Sequence, residues 1–168
     1  MGIGLEWGMM KAIQVRAFGG PEVLKLEEVK EPAPGKGEVL IKVRAVGVNP
    51  VETYFRKGMY GPKEVPYVPG SDCAGVIEAL GEGVTQFNVG DRVYTASASG
   101  SYAEKAVAPA GRVWELPSKV TFEQGAGLGI PFGTAYRAVV IRGGAKAGET
   151  PKQDIAPIAA SELRSMSF

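Results

Sequence analysis

Hydrophobic and polar positions alternate over most of the first two thirds of the chain, in short runs broken by glycine and proline. The best period-2 stretch is EVLIKVRAV at residues 38–46. Val39, Ile41, Val43 and Ala45 fall on one face there, and Leu40, Lys42, Arg44 and Val46 on the other. Successive side chains of a strand point to opposite faces, so this pattern predicts a strand. Shorter runs at 11–16, 23–29, 71–79, 92–96, 102–107 and 113–116 predict further strands. Between them lie FGGP at 18–21, EPAPGKG at 31–37, GEG at 81–83, GD at 90–91 and SGS at 99–101, all turn chemistry. Helical signals interrupt the series three times. Residues 49–58 predict a short helix, with Asn49 capping it through its side-chain oxygen, Pro50 at the first helical position and Lys57-Gly58 at the far end. Glu52 and Arg56 are spaced to pair on its surface. Thr121-Phe122-Glu123-Gln124 has capping-box spacing, and residues 133–141 predict an apolar helix stopped by Gly143-Gly144. The succession predicts a mainly β fold, a closed or partly open β-barrel with a few short helices.

Composition narrows the chemistry. The 168 residues suffice for one domain with a sizeable core. With 24 glycines and 12 prolines, dense turns are expected. Nineteen basic and 18 acidic residues leave a net charge of +1, which argues against a nucleic-acid-binding face. There is no histidine, so imidazole bases, Ser-His-Asp triads and histidine-ligated zinc or haem are excluded. The single cysteine, Cys73, excludes intrachain disulfides, iron–sulfur clusters and cysteine zinc sites. Among Ala74, Val76 and Ile77 it reads as a small core residue. Asp72 and Arg92 read as structural, one at a turn and one in a surface pair. No run approaches the roughly 18 apolar residues of a membrane span. The first nine residues carry Glu6 and no basic cluster, unlike a secretory leader, so a cytoplasmic chain is expected, with no membrane partner.

Five stretches in order carry a resemblance: AFGGPEVLKL at 17–26, VGVNPVETY at 46–54, PGSDCAGVIEALGEGV at 69–84, GDRV at 90–93 and GIPFGTAYRAV at 129–139. Together they resemble the N-terminal catalytic domain of zeta-crystallin-type quinone oxidoreductases, in the medium-chain dehydrogenase/reductase superfamily. The resemblance spans residues 10–149. It implies a GroES-like barrel, and one-electron or hydride reduction of quinones and related enones by NADPH. It also implies no zinc: Gly70-Ser71-Asp72 stands where zinc-dependent relatives carry Gly-His-Glu. It places Tyr54 near the nicotinamide, where a hydroxyl can polarise a carbonyl oxygen as hydride arrives. It places Asn49 in the cleft, orienting nicotinamide or substrate, Thr134 beside the nicotinamide, and Tyr60 along the substrate cleft. Read from the residues alone, Tyr54 is an amphipathic tyrosine on a short helix, Asn49 a helix cap, Thr134 an N-cap and Tyr60 a loop tyrosine. Both readings stand at this stage.

The chain departs from the family pattern near its end. In relatives, the stretch resembling Lys146-Ala147-Gly148-Glu149 leads into the first Rossmann strand and a glycine-rich phosphate loop. Here TPKQDIAPIAASELRSMSF follows at 150–168. No G-x-G-x-x-G occurs, and Gly125-Ala126-Gly127-Leu128-Gly129 follows no predicted strand and has the wrong spacing. The expected division is an extension at 1–9, a GroES-like domain at 10–149 and a divergent tail at 150–168, frayed or marginally helical, with the Rossmann domain absent. A Rossmann half supplies most of the cofactor affinity, so little or no reductase activity is expected of the chain alone. The helix at 133–141 is expected to expose an apolar patch, leading to self-association or pairing with a full-length relative. Three readings follow: a truncated enzyme of this family, a stand-alone GroES-like binding module, or a non-functional splice or gene-model product.

Overall fold

The computed structural model describes residues 8–60, 64–146 and 148. The tail at 150–168 and most of the extension at 1–9 lie outside the described residues.

The predicted strands form two antiparallel sheets. Strands β1 (Met9–Val15) and β2 (Leu24–Lys30) pair from Met9 opposite Lys30 to Val15 opposite Leu24. The larger sheet holds β3 (Glu38–Val46), β4 (Cys73–Leu80), β5 (Arg92–Thr95), β6 (Lys105–Pro109) and β7 (Val113–Glu115). Its order is β6-β3-β4-β5-β7. Isolated bridges join Ala12 to Ala103 and Val15 to Tyr67, and Ile13 N–H donates to the Tyr102 carbonyl at 2.8 Å. The two sheets therefore form a partly open barrel. Lys105 strengthens the join: its Nζ lies 2.9 Å from Glu31, just after β2, and 2.8 Å from Glu78 on β4.

Strand β3 departs from simple alternation. Val39, Leu40 and Ile41 are all fully buried, and β3 is hydrogen-bonded on both sides, to β4 and β6. Register shifts between Leu40 and Ile41, and between Val43 and Ala45, turn side chains off the strict two-residue period. The main core gathers Val39, Ile41, Cys73, Ile77, Phe87 and Val93. Burial, with Asp72 alongside, pushes the Cys73 thiol up to about 12.

Three helical pieces complete the fold. Helix α1 (Pro50–Arg56) follows β3, and α2 (Phe122–Ala126) packs on the sheet over Ala74 and Leu116. The expected capping box of α2 is made: Gln124 N–H donates to Thr121 Oγ1 at 3.2 Å, and Thr121 N–H to Gln124 Oε1 at 3.0 Å. The last helix starts earlier than the sequence pattern predicts. π-Helical turns at Leu128–Phe132 and Arg137–Arg142 flank a short α3 (Gly133–Tyr136). Pro131 lies inside this segment and has no N–H to give, and Phe132 N–H reaches back five residues to the Gly127 carbonyl. The expected surface pair of Arg92 is replaced by stacking: its guanidinium lies 4.3 Å over the Phe122 ring and donates to the Val120 carbonyl. Among the described residues, no helix is long and apolar enough to cross a membrane.

Candidate functional site

The site is built where β3 runs out into α1. Asn49 is 3% exposed in an extended conformation, and Pro50 starts the helix at its first position, as predicted. The cap works differently from the expectation. Asn49 and Glu52 hold capping-box geometry, but the bond made runs from Asn49 N–H to Glu52 Oε2, at 2.9 Å. The Asn49 side chain instead donates from Nδ2 to Asp72 Oδ2 at 3.0 Å, a fully buried bond.

Glu52 is consequently not paired with Arg56. Its Oε2 also accepts a short hydrogen bond from the Tyr102 hydroxyl, while Oε1 is buried with no hydrogen-bond partner. Arg56 reaches the Gly19 carbonyl instead. Burial, then the bond to Glu52, raises the Tyr102 hydroxyl well above its ordinary value. Glu52 and Tyr102 thus fix the start of α1 from beneath. The Asn-x-x-Glu spacing of Asn49 and Glu52 was the sequence signal for this arrangement.

Asp72 lies just before β4, fully buried, not in an exposed turn. Besides Asn49 it accepts from the Ile130 N–H, at 3.1 Å to Oδ2 and 3.3 Å to Oδ1. Burial raises its carboxyl, while the bonds from Asn49 and Ile130 pull the other way. The surrounding backbone is pressed close. A Cβ on Gly47 would lie 2.7 Å from Asp72 Cβ, and one on Gly129 would lie 2.5 Å from Asp72 Oδ1.

The other expected site residues lie on the outside of these two segments. Tyr54, on α1, is 39% exposed and meets Tyr60 edge to face, with ring centroids 5.5 Å apart. Tyr60 also meets Phe55 at 5.7 Å, so the two expected cleft tyrosines are brought together. Thr134 is exposed on α3, one turn beyond Ile130. It lies inside a continuous helical run, which removes the N-cap reading. Among the described residues no hydrogen bond joins Thr134 directly to α1; the link between the two segments runs through Asp72. Phe132 and Tyr136 stack beside Thr134, both more than 40% exposed. The arrangement is a pair of walls carrying exposed aromatic rings and hydroxyls, hinged on one buried carboxylate. Among the described residues, no three His, Cys, Asp or Glu side chains gather as metal ligands.

Comparisons with known proteins agree with this architecture. Residues 35–118 match the family model described as the alcohol dehydrogenase GroES-like domain. The human quinone oxidoreductase is 54% identical over 145 residues, covering 84% of this chain and 44% of that protein. The quinone oxidoreductase of Pseudomonas aeruginosa is 42% identical over 121 residues, covering 71% of this chain and 37% of that protein. Among solved structures, a mycobacterial protein complexed with NADPH superposes with a TM-score of 0.77 at 44% identity, covering 83% of this chain and 44% of that one. The Escherichia coli quinone oxidoreductase complexed with NADPH gives 0.73 at 33% identity, covering 77% and 40%. The chain thus spans less than half the length of these relatives. Half of it lies within the matched model, and its partly open barrel is of that kind: the chain belongs to the alcohol dehydrogenase GroES-like domain family.

Proposed function

We propose that this chain provides the nicotinamide- and substrate-facing domain, residues 10–149, of a zinc-independent, NADPH-dependent quinone or enone oxidoreductase. One observation carries the reading: the segments bearing Tyr54 and Thr134 flank Asp72 and expose their hydroxyls and aromatic rings. The similarity to quinone oxidoreductases, and to structures solved with NADPH, supports it. A nicotinamide cofactor supplies a hydride when bound. The chain's own residues then have distinct tasks. Tyr54 holds its hydroxyl proton where a carbonyl oxygen gains charge. Thr134 offers a hydroxyl from the opposite wall. Tyr60 meets Tyr54 edge to face and braces its ring from one side. Asn49 is too buried to take much of a ligand's surface and acts at its edge, through an amide already oriented by Asp72.

The test is a nuclear magnetic resonance titration of the chain with NADPH. Shifts confined to residues near Tyr54, Tyr60 and Thr134, weakened at least several-fold in Tyr54→Phe, are expected. Shifts elsewhere on the chain with none near Tyr54, Tyr60 and Thr134 refute the reading. A second reading, pairing with a further domain or a full-length relative, is favoured by the apolar exposure of Phe132, Tyr136, Val140 and Ile141 along one helix. Sedimentation of the chain with such a relative separates the two.

A further inference from the structure

We infer that Asp72 is a positioning residue, which sets the separation of the two walls of the site by holding the Asn49 amide and the Ile130 N–H on one carboxylate. The inference rests on the proposed nicotinamide-facing role and deepens it. Its geometry stands independently. Asp72 takes donors from positions 23 residues before and 58 residues after it, one on each wall. Both donors are the kind a carboxylate satisfies without a counter-cation, and among the described residues Asp72 has no ion pair. Ile130 N–H, in the helical segment that follows α2 through Gly127, donates to Asp72. The carboxylate thus ties the start of that segment to the residue before β4.

The packing has the same sense. Gly47 and Gly129 leave room for the Asp72 side chain, one from each wall, and a Cβ at either position would collide with it. A Cβ on Gly47 would also lie 2.8 Å from the Ala126 carbonyl, so the two segments close onto Asp72 and, beside it, onto each other. Thr134 follows Ile130 by four residues, and Tyr54 is the fifth residue of the helix that Asn49 caps. A displacement at Asp72 is carried to both exposed hydroxyls, and misplacement by about 1 Å can cost about a hundredfold where a ligand is held for reaction.

Asp72→Asn tests this. Asparagine has nearly the same shape but loses one acceptor: with its NH2 at the Oδ2 position it faces both Asn49 Nδ2 and the Ile130 N–H, and with its NH2 at the Oδ1 position it loses the longer Ile130 contact. Faster amide exchange at Ile130, by about tenfold or more, is expected, with resonance shifts on both walls, at 49–54 and 128–136. The NADPH dissociation constant is expected to rise about tenfold, with the melting temperature within a few degrees of wild type. The double variant Asn49→Asp with Asp72→Asn restores the pair with its polarity reversed and leaves a carbonyl oxygen for Ile130. Its Ile130 exchange is expected to return toward wild type, which a general loss of structure would not produce. Shifts on one wall only, or no rescue by the swap, overturn the inference. If wild-type shifts with NADPH fall elsewhere, with none near Tyr54, Tyr60 and Thr134, the proposed function fails, while exchange and rescue still decide whether Asp72 couples the walls. Should both variants fail to fold, couplings across the hydrogen bonds decide in the wild-type chain. Signals from Ile130 N and Asn49 Nδ2 to the Asp72 carboxyl carbon support the arrangement, and loss of either overturns it.

Discussion

Replacing Gly129 with alanine puts a methyl group where the structure has none to spare. The added Cβ would lie 2.5 Å from Asp72 Oδ1 and 2.6 Å from Ala96 Cβ. Carbon contacts are comfortable at about 3.5–4.0 Å, so roughly 1 Å must be found. Neither neighbour yields easily: Asp72 is held by Asn49 and Ile130, and Ala96 Cβ is fixed to its own backbone. Overpacking of this kind costs about 1–3 kcal/mol. Alanine's better helix propensity returns up to about 1 kcal/mol, leaving a net loss of about 1–2 kcal/mol. Gly133→Ala is the matched control. Nothing lies within 4 Å of a Cβ there, and the backbone is helical at φ −59° and ψ −39°. It is expected to stabilise by about 0.4–1 kcal/mol. The same substitution four residues apart should thus change sign. Urea unfolding followed by tryptophan fluorescence reads both, at a slope of about 1–3 kcal/mol per molar. A Gly129→Ala midpoint equal to or above that of Gly133→Ala would show that the helical segment is not seated on Asp72 and Ala96 as described.

Other expectations follow from buried and paired groups. Cys73 is fully buried with its thiol pushed up to about 12, so a disulfide reagent at pH 8 should label it only as fast as the protein opens; prompt labelling in native buffer would contradict its place in the core. The Asp72 carboxyl is raised by burial, so the folded protein keeps this proton longer than the unfolded chain. The resulting stability is full below the ordinary carboxylate value of about 4 and is lost as pH rises toward the folded value. Relative to Asp72→Asn, wild type should therefore lose stability across that window in a urea series, and a constant difference would refute it. Lys105 has the opposite range: bonds to Glu78, then Glu31, raise it. Its contribution is full below the ordinary lysine value of about 10.4 and is lost as pH climbs through the raised one. Lys105→Met should cost about 1 kcal/mol at neutral pH, leave Glu31 and Glu78 facing each other, and remove the alkaline loss.

Much of the barrel is legible in the chain because strands and turns leave local marks. The run at 38–46 gives β3, Pro50 gives the start of α1, and the Thr121–Gln124 spacing gives α2. The burial of Leu40 is not legible, since in the alternating run it shares its positions with Lys42 and Arg44, both exposed. The same limit applies to the site. Tyr54 and Tyr60 lie close enough in sequence to meet, but Asp72 joins two segments that are local to neither it nor each other. Its neighbour Cys73 and the apolar run after it mark the position as buried; nothing nearby shows whose donors it satisfies. The earlier start of the last helix is hidden by Pro131, which normally argues for a break. Glu52 is misleading for a related reason. Four positions before Arg56 it looks like half of a surface pair, yet the capping geometry turns it inward to Tyr102.

The strand order also governs how quickly the chain can reach this state. Among the described strands, β1 and β2 pair across the shortest connection, from Val15 opposite Leu24 onward, and β4 and β5 across the next, from Val76 opposite Arg92. The central β3 must wait for partners made much later in the chain, with Leu40 opposite Val107 and Ile41 opposite Ala106. Closing such long loops costs entropy before any contact repays it, and domains dominated by distant pairings fold in milliseconds to seconds. The hairpin at the amino-terminal end is therefore expected early, while one edge of β3 stays open until β6 has emerged. During that interval the Val39–Ile41 stretch presents an apolar, open-edged strand to any neighbouring chain, which makes dilute refolding the condition most favourable to yield.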